Sequence, residues 1–255
     1  MYMLKYLKNK VLNHFTVTPK AIPLLSQDEL AKWFLLDPNG RNLLSHERNY
    51  LIKIVSDIYG NYSLQLAMPE INFLQGNQIV NHYVINHDVM SDLRFMAIES
   101  NSVDLIVCPH ILEFESNYHH ILQELYRILR ADGKIIFICF NQHSLFSMMR
   151  HKNSVLKQLN FIDLPELKYQ LTALNFVIDG GKFINYLPVC KKARRIHQLT
   201  WLDKVGDRWF PTLSNVFVVV AHKEVVSFTA KYCKNSKQEE YIPVSVGVAT
   251  ACRND

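Results

Sequence analysis

Three residues close together in the chain could move a proton: His110, Glu113 and Glu115. A histidine titrates near neutral pH, and a carboxylate beside it can pair with the ring. His110 follows the run Val103-Asp104-Leu105-Ile106-Val107-Cys108, which reads as a buried strand. In open α/β folds, ligands sit just beyond such strand ends. The same histidine could instead satisfy a loop carbonyl, with the glutamates solvated. His119 and His120 are adjacent, and adjacent residues do not share a helix face, so they make a poor metal pair. Lys191, Lys192, Arg194 and Arg195 form a basic run with His197, Trp201 and Trp209 nearby. Basic residues interleaved with aromatics can bind RNA; the alternative is a solvated helix start whose tryptophans pack inward. The five cysteines are widely spaced, odd in number and without a C-x-x-C pair, which argues against a disulfide framework or a zinc site.

The elements that must position these residues alternate. Ser26-Gln27-Asp28-Glu29 reads as a capping box, and Pro38-Asn39-Gly40 as the stop of its helix. A second helix is expected from about Ser45, with Tyr50, Leu51, Ile54, Val55 and Ile58 on one face and Gly60-Asn61 at its close. Strands are predicted at Tyr62 to Ala67, His82 to Asn86, Val103 to Cys108, Lys134 to Phe140, Phe176 to Asp179 (ended by Gly180-Gly181) and Asn215 to Ala221. The stripe Ile121, Leu122, Leu125, Ile128, Leu129 predicts a helix capped by Ser116 or Asn117 and ended at Gly133. Asp163 caps another helix, with Pro165 in its first turn. Lys231 to Asp255 reads as an irregular, mobile tail.

This order implies an α/β fold, a mostly parallel sheet with helices on both faces. The boundaries read as 1–60 for an N-terminal helical segment, 61–225 for the α/β domain and 226–255 for the tail. A net charge of +5 permits an anionic partner without demanding one. No apolar stretch is long enough to span a bilayer and the N-terminus has no signal-peptide pattern, so a cytoplasmic location is expected. Met1, Leu4, Leu7, Val11, Leu12 and Phe15 recur at helical spacing among lysines, as in a short docking helix, a frayed end or a segment that touches a membrane surface.

Three stretches carry a family resemblance. They are Ser91-Asp92 on to Asn101-Ser102-Val103-Asp104, then Leu105-Ile106-Val107-Cys108-Pro109-His110-Ile111-Leu112-Glu113-Phe114, then Leu122-Gln123-Glu124-Leu125-Tyr126-Arg127-Ile128-Leu129-Arg130-Ala131-Asp132-Gly133-Lys134-Ile135. Together they resemble the type 11 methyltransferase domain of the class I S-adenosylmethionine (SAM) dependent methyltransferases. Asn141-Gln142-His143-Ser144-Leu145-Phe146 and Ser245-Val246-Gly247-Val248-Ala249 are similar to a short bacterial subgroup. The resemblance implies a Rossmann-like methyltransferase sheet and SAM as cofactor. It places the cofactor against Gln65, Ala67, Met68, Asn86, Asp92 and Pro109, and the methyl acceptor near His110 and Glu113.

The residues depart from the family at the turn that would cradle SAM. Leu64-Gln65-Leu66-Ala67-Met68-Pro69-Glu70-Ile71 stands where the family has L-D-L-G-C-G-T-G. Glycine lets the backbone approach a cofactor with positive φ, whereas Pro69 lacks an N–H and Ile71 resists positive φ. Only 14 residues separate Ala67 from His82, and they carry no helical stripe, so the first crossovers are truncated. The expected function is SAM-dependent methyl transfer to an unidentified acceptor. The alternatives are an inactive methyltransferase-fold binding or scaffold protein, and an RNA binder using Lys191 to Arg195. The oligomeric state is left open.

Overall fold

The computed structural model describes residues 26–85, 87–89, 92–115, 117–190, 192–224, 229–235 and 238–244. Helix α1 (Gln27–Leu36) opens on the expected capping box: the Ser26 hydroxyl accepts the Glu29 N–H at 3.2 Å, and the Glu29 carboxylate accepts the Ser26 N–H at 3.3 Å. Helix α2 (Pro38–Val55) starts seven residues before the predicted Ser45. Pro38 stops one helix and opens the next, because a proline in the first turn loses only an N–H that has no helical partner there. Asp37 caps this start by accepting the Asn39 N–H at 2.7 Å. Gly40 lets the helices touch: a Cβ there would lie 2.3 Å from the Trp33 carbonyl oxygen.

The main sheet contains β1 (Tyr62–Gln65), β2 (Asn81–Val84), β3 (Val103–Pro109), β4 (Leu129–Phe140), β5 (Phe176–Ile184) and β6 (Val216–Lys223), in the order β2-β1-β3-β4-β6-β5. The pairs β1/β2, β1/β3 and β3/β4 are parallel, and β6 runs antiparallel to both neighbours. The sheet is mostly parallel, as the alternation of elements implied. Helix α3 (His119–Ile128) links β3 to β4, and α4 (Leu145–Met149) and α5 (Leu164–Ala173) lie between β4 and β5.

Glycines mislead at two boundaries. Gly133 does not end α3; the helix stops at Ile128, and Gly133 lies inside β4, where the pairing with β3 slips between Val103 and Leu105. Gly180-Gly181 does not end β5, which continues to Ile184 past a register shift. A Cβ on Gly181 would lie 2.1 Å from the Val218 carbonyl oxygen, so glycine allows a close cross-strand approach there. The region read as a tail contains a hairpin of β7 (Thr229–Asn235) and β8 (Gln238–Val244).

The core sits on β3, β4 and β6. All seven residues of β3 are buried, as are Ile135 to Phe140 in β4. Successive strand residues face opposite sides, so both faces are covered. Strand β2 is the opposite case, with three exposed residues and one half-buried. Among the described residues no helix lies between β1 and β2 or between β2 and β3. A cavity of about 310 Å³, lined by Tyr62, Leu64, Tyr83, Val89, Ile98 and Val103 among others, opens beside these short strands.

Candidate functional site: a buried carboxylate pair around His110

Strand β3 ends at Pro109, and His110 follows with φ of 48°. A left-handed backbone is uncommon for a histidine. It is held by the His110 N–H donating to the Ile138 carbonyl at 2.8 Å. The ring projects under α1 and α2 and is fully buried. Phe34 of α1 and Phe140 of β4 flank it, at centroid distances of 5.1 and 4.3 Å.

Two carboxylates take the two ring nitrogens. Nδ1 lies 3.1 Å from Oε1 of Glu113, which stands in a short 3-10 turn (Leu112–Phe114) after β3. Nε2 lies 3.1 Å from Oε1 of Glu47 in α2. Both glutamates are buried. Glu113 Oε1 also accepts the Phe140 N–H at 2.7 Å, while the second oxygen of each carboxylate is buried without a hydrogen-bond partner.

Burial alone would lower the pKa of His110, but the charge of Glu47 and the hydrogen bonds and charge from both carboxylates outweigh it and lift the ring to about 9. Burial raises the Glu47 carboxyl above its usual value, against the pull of His110. Each ring nitrogen faces a carboxylate oxygen, a geometry that favours the doubly protonated ring with both nitrogens donating. It is not poised as the general base that its position suggested, since a base needs a free nitrogen. Glu113 is not solvated, and Glu115 is not the partner; the second carboxylate comes from 63 residues upstream. No signal short of tertiary packing marks Glu47, which reads as an ordinary polar helix residue.

The turn after β1 is closed by its own side chains. Gln65 is buried, and its Nε2 donates to the carbonyls of Ala67, Met68 and Ile71 at 3.0, 3.1 and 2.8 Å. Its Oε1 accepts the Phe73 N–H at 2.9 Å. Ala67 and Met68 take φ of 68° and 52°, and both are buried, as are Ile71 and Phe73. The backbone here makes its left-handed turn without glycine and gives its carbonyls to Gln65.

The remaining expected site residues do not converge on His110. Pro109 is buried as the last residue of β3. Asp92 lies in an exposed turn, where its carboxylate accepts the Arg94 N–H at 2.9 Å and pairs with the Arg94 guanidinium at 3.3 Å. The hydrogen bonds from Arg94, backbone first, hold the Asp92 carboxyl below its usual value. Asn86 and Lys191 lie outside the described residues. Asn141 is buried, and its side chain donates to the carbonyls of Thr212 and Ser214 at 2.7 and 2.9 Å. His119 Nε2 meets Gln123 on the surface, and no metal cluster occurs among the described residues.

Comparison with known proteins defines the class first. A protein-family model described as a methyltransferase domain matches residues 70–137. The fold is similar to a SAM-dependent methyltransferase of Archaeoglobus fulgidus, with a TM-score of 0.55 at 15% identity, covering 75% of this chain and 99% of that one. The chain thus has the Rossmann-like fold of the class I SAM-dependent methyltransferases. Two sequence relatives stand nearer. It is 26% identical over 173 residues to the uncharacterized protein YafS of Escherichia coli, covering 65% of this chain and 67% of that protein. It is 28% identical over 134 residues to an uncharacterized protein of Methanocaldococcus jannaschii, covering 51% and 55%. The chain therefore spans only about half the length of that second relative.

Proposed function

We propose that this protein is a methyltransferase-fold module that acts by binding and not by methyl transfer, its cofactor cradle having become core. One observation carries the reading: Gln65 consumes the three carbonyls of the turn after β1 while Met68 and Ile71 fill it. The ammonium of SAM needs free carbonyl acceptors and its body needs open space at that turn, and the residues present do not fit it. The Glu47–His110–Glu113 cluster, at the position expected for the acceptor side, supports the same reading. It is closed over by α1 and α2 and serves to hold these helices on the sheet.

A second reading is SAM-dependent transfer to an unidentified acceptor. The match of residues 70–137 to a methyltransferase domain favours it. It requires Met68 and Ile71 to move out of the turn. Thermal unfolding with and without millimolar SAM and S-adenosylhomocysteine separates the two. A native-state ligand at ~100 times its Kd stabilises by about 2.7 kcal/mol. For a domain of this size that is a rise of roughly 5–10 °C. The binding-module reading expects no rise with either compound. A rise of that size would overturn it in favour of the enzyme.

A further inference from the structure

We infer that helix α7 (Trp201–Trp209) is a docking surface for an anionic lipid membrane, on which the protein lies without crossing it. Trp201, Val205 and Trp209 recur at i, i+4 and i+8, so they form one stripe along a helix about 13 Å long. Trp201 is 56% exposed, Trp209 68%, and Phe210 just beyond the helix 58%. Leu213, in the short turn that follows, is also partly exposed. Large apolar side chains in a row do not face water without consequence; such a patch marks an interaction surface.

The other side of α7 is fixed to the protein. Gly206 is buried against Tyr186, where a Cβ would lie 2.3 Å from the ring carbon Cγ. Asp203 accepts the Tyr186 N–H at 2.8 Å, and Asp207 lines the same cleft. Asp203 is thus tied to the protein, and Asp207 is exposed at the edge of that cleft, away from the tryptophan stripe. At 100° per residue, Arg208 falls beside the tryptophan stripe, and the exposed Lys204 lies one position further round, at the cleft that Asp203 and Asp207 also line. Helix α6 (Ala193–Leu199), immediately upstream, adds the exposed Arg194 and Arg195, and Lys192 precedes it. Tryptophan with bordering lysine and arginine is the composition of a helix lying in a bilayer interface, where the rings enter the headgroup layer and the cations meet anionic lipid. Trp201, Trp209 and Phe210 have ring faces on which bases stack, but the aliphatic Val205 and Leu213 add apolar area that suits lipid better than nucleic acid. Among the described residues no helix is long and apolar enough to cross a membrane.

Flotation with vesicles tests this, using phosphatidylcholine alone or mixed in equal parts with phosphatidylglycerol. The full chain is expected to float with the mixed vesicles, with a blue shift of tryptophan emission. Trp33 is buried and serves as the constant background. The exposed-site variant Trp201→Ser/Trp209→Ser keeps the fold and loses the shift, and its binding falls by roughly tenfold or more. Lys204→Glu/Arg208→Glu weakens binding to mixed vesicles by a similar order, since each cation near an anionic surface contributes a factor of roughly five. Three outcomes would overturn the inference. They are no flotation with mixed vesicles, flotation that the tryptophan variant leaves unchanged, and stripe-dependent binding of single-stranded RNA or of a second copy in place of vesicles.

Discussion

The two halves of the sheet were built by the same chain under opposite conditions. On the β3–β4 side, a full crossover helix separates two parallel strands, and every residue from Leu105 to Pro109 is buried. On the β1–β2 side, no helix lies in either connection among the described residues, the strands have four residues each, and Tyr62 and Tyr83 stack in partial exposure at a centroid distance of 6.4 Å. A parallel sheet needs helices to cover its faces. Where they are missing, the chain closes what it can with side chains: Gln65 ties the turn, Met68 and Ile71 fill it, and a cavity opens beside Tyr62 and Tyr83. The helical cover that remains, α1 and α2, is pinned to the strong half through Glu47 and His110.

The sharpest way to break this contrast is to remove Glu113. Glu113→Ala leaves Nδ1 of His110 and the Phe140 N–H without a buried partner and is expected to destabilise the chain by about 3–5 kcal/mol in urea unfolding. A loss below about 1 kcal/mol would mean that the cluster holds nothing in place. Gln65→Ala comes next. It strands the Ala67, Met68 and Ile71 carbonyls and is expected to cost about 1–3 kcal/mol. If SAM then raised the melting temperature where it had not before, the closed turn would be shown to be what excludes it.

The pH dependence is the third test. The folded pKa of His110 is raised to about 9. Its contribution is therefore fully present below the unfolded histidine value of about 6.5 and is lost as pH rises through 9. Glu47, also raised, adds loss in the same direction at rising pH. Unfolding free energy is expected to fall between about pH 6.5 and 9, and His110→Gln to flatten that slope. A stability that rises over this interval would contradict the imidazolium. The smallest effect belongs to the weak half: Tyr83→Ser on exposed β2 is expected to change stability by under about 1 kcal/mol. A loss as large as that of Glu113→Ala would erase the distinction between the halves.

The local rules set much of this in advance. The capping box at Ser26, the α3 stripe, the apolar runs of β3, β4 and β6 and the short first crossovers are all readable from spacing, because each depends on neighbours within a few residues. Boundaries set by glycine or proline were not readable. Pro38 can end a helix or begin one, Gly133 can end a helix or sit within a strand, and Gly181 can end a strand or sit within it, according to what packs across from them. The location of His110 at a strand end followed from the sequence, but its chemistry did not. Only the fold brings Glu47 across 63 residues to its second nitrogen, and only the two carboxylates, working against burial, turn a candidate base into a held cation. Likewise, Ala67 and Ile71 are read directly from the sequence, whereas the burial of Met68 in that turn and the hydrogen bonds that Gln65 makes across it are decided by tertiary contacts. Periodicity and caps are one-dimensional, while charge state and cavity are properties of what surrounds a group in three dimensions.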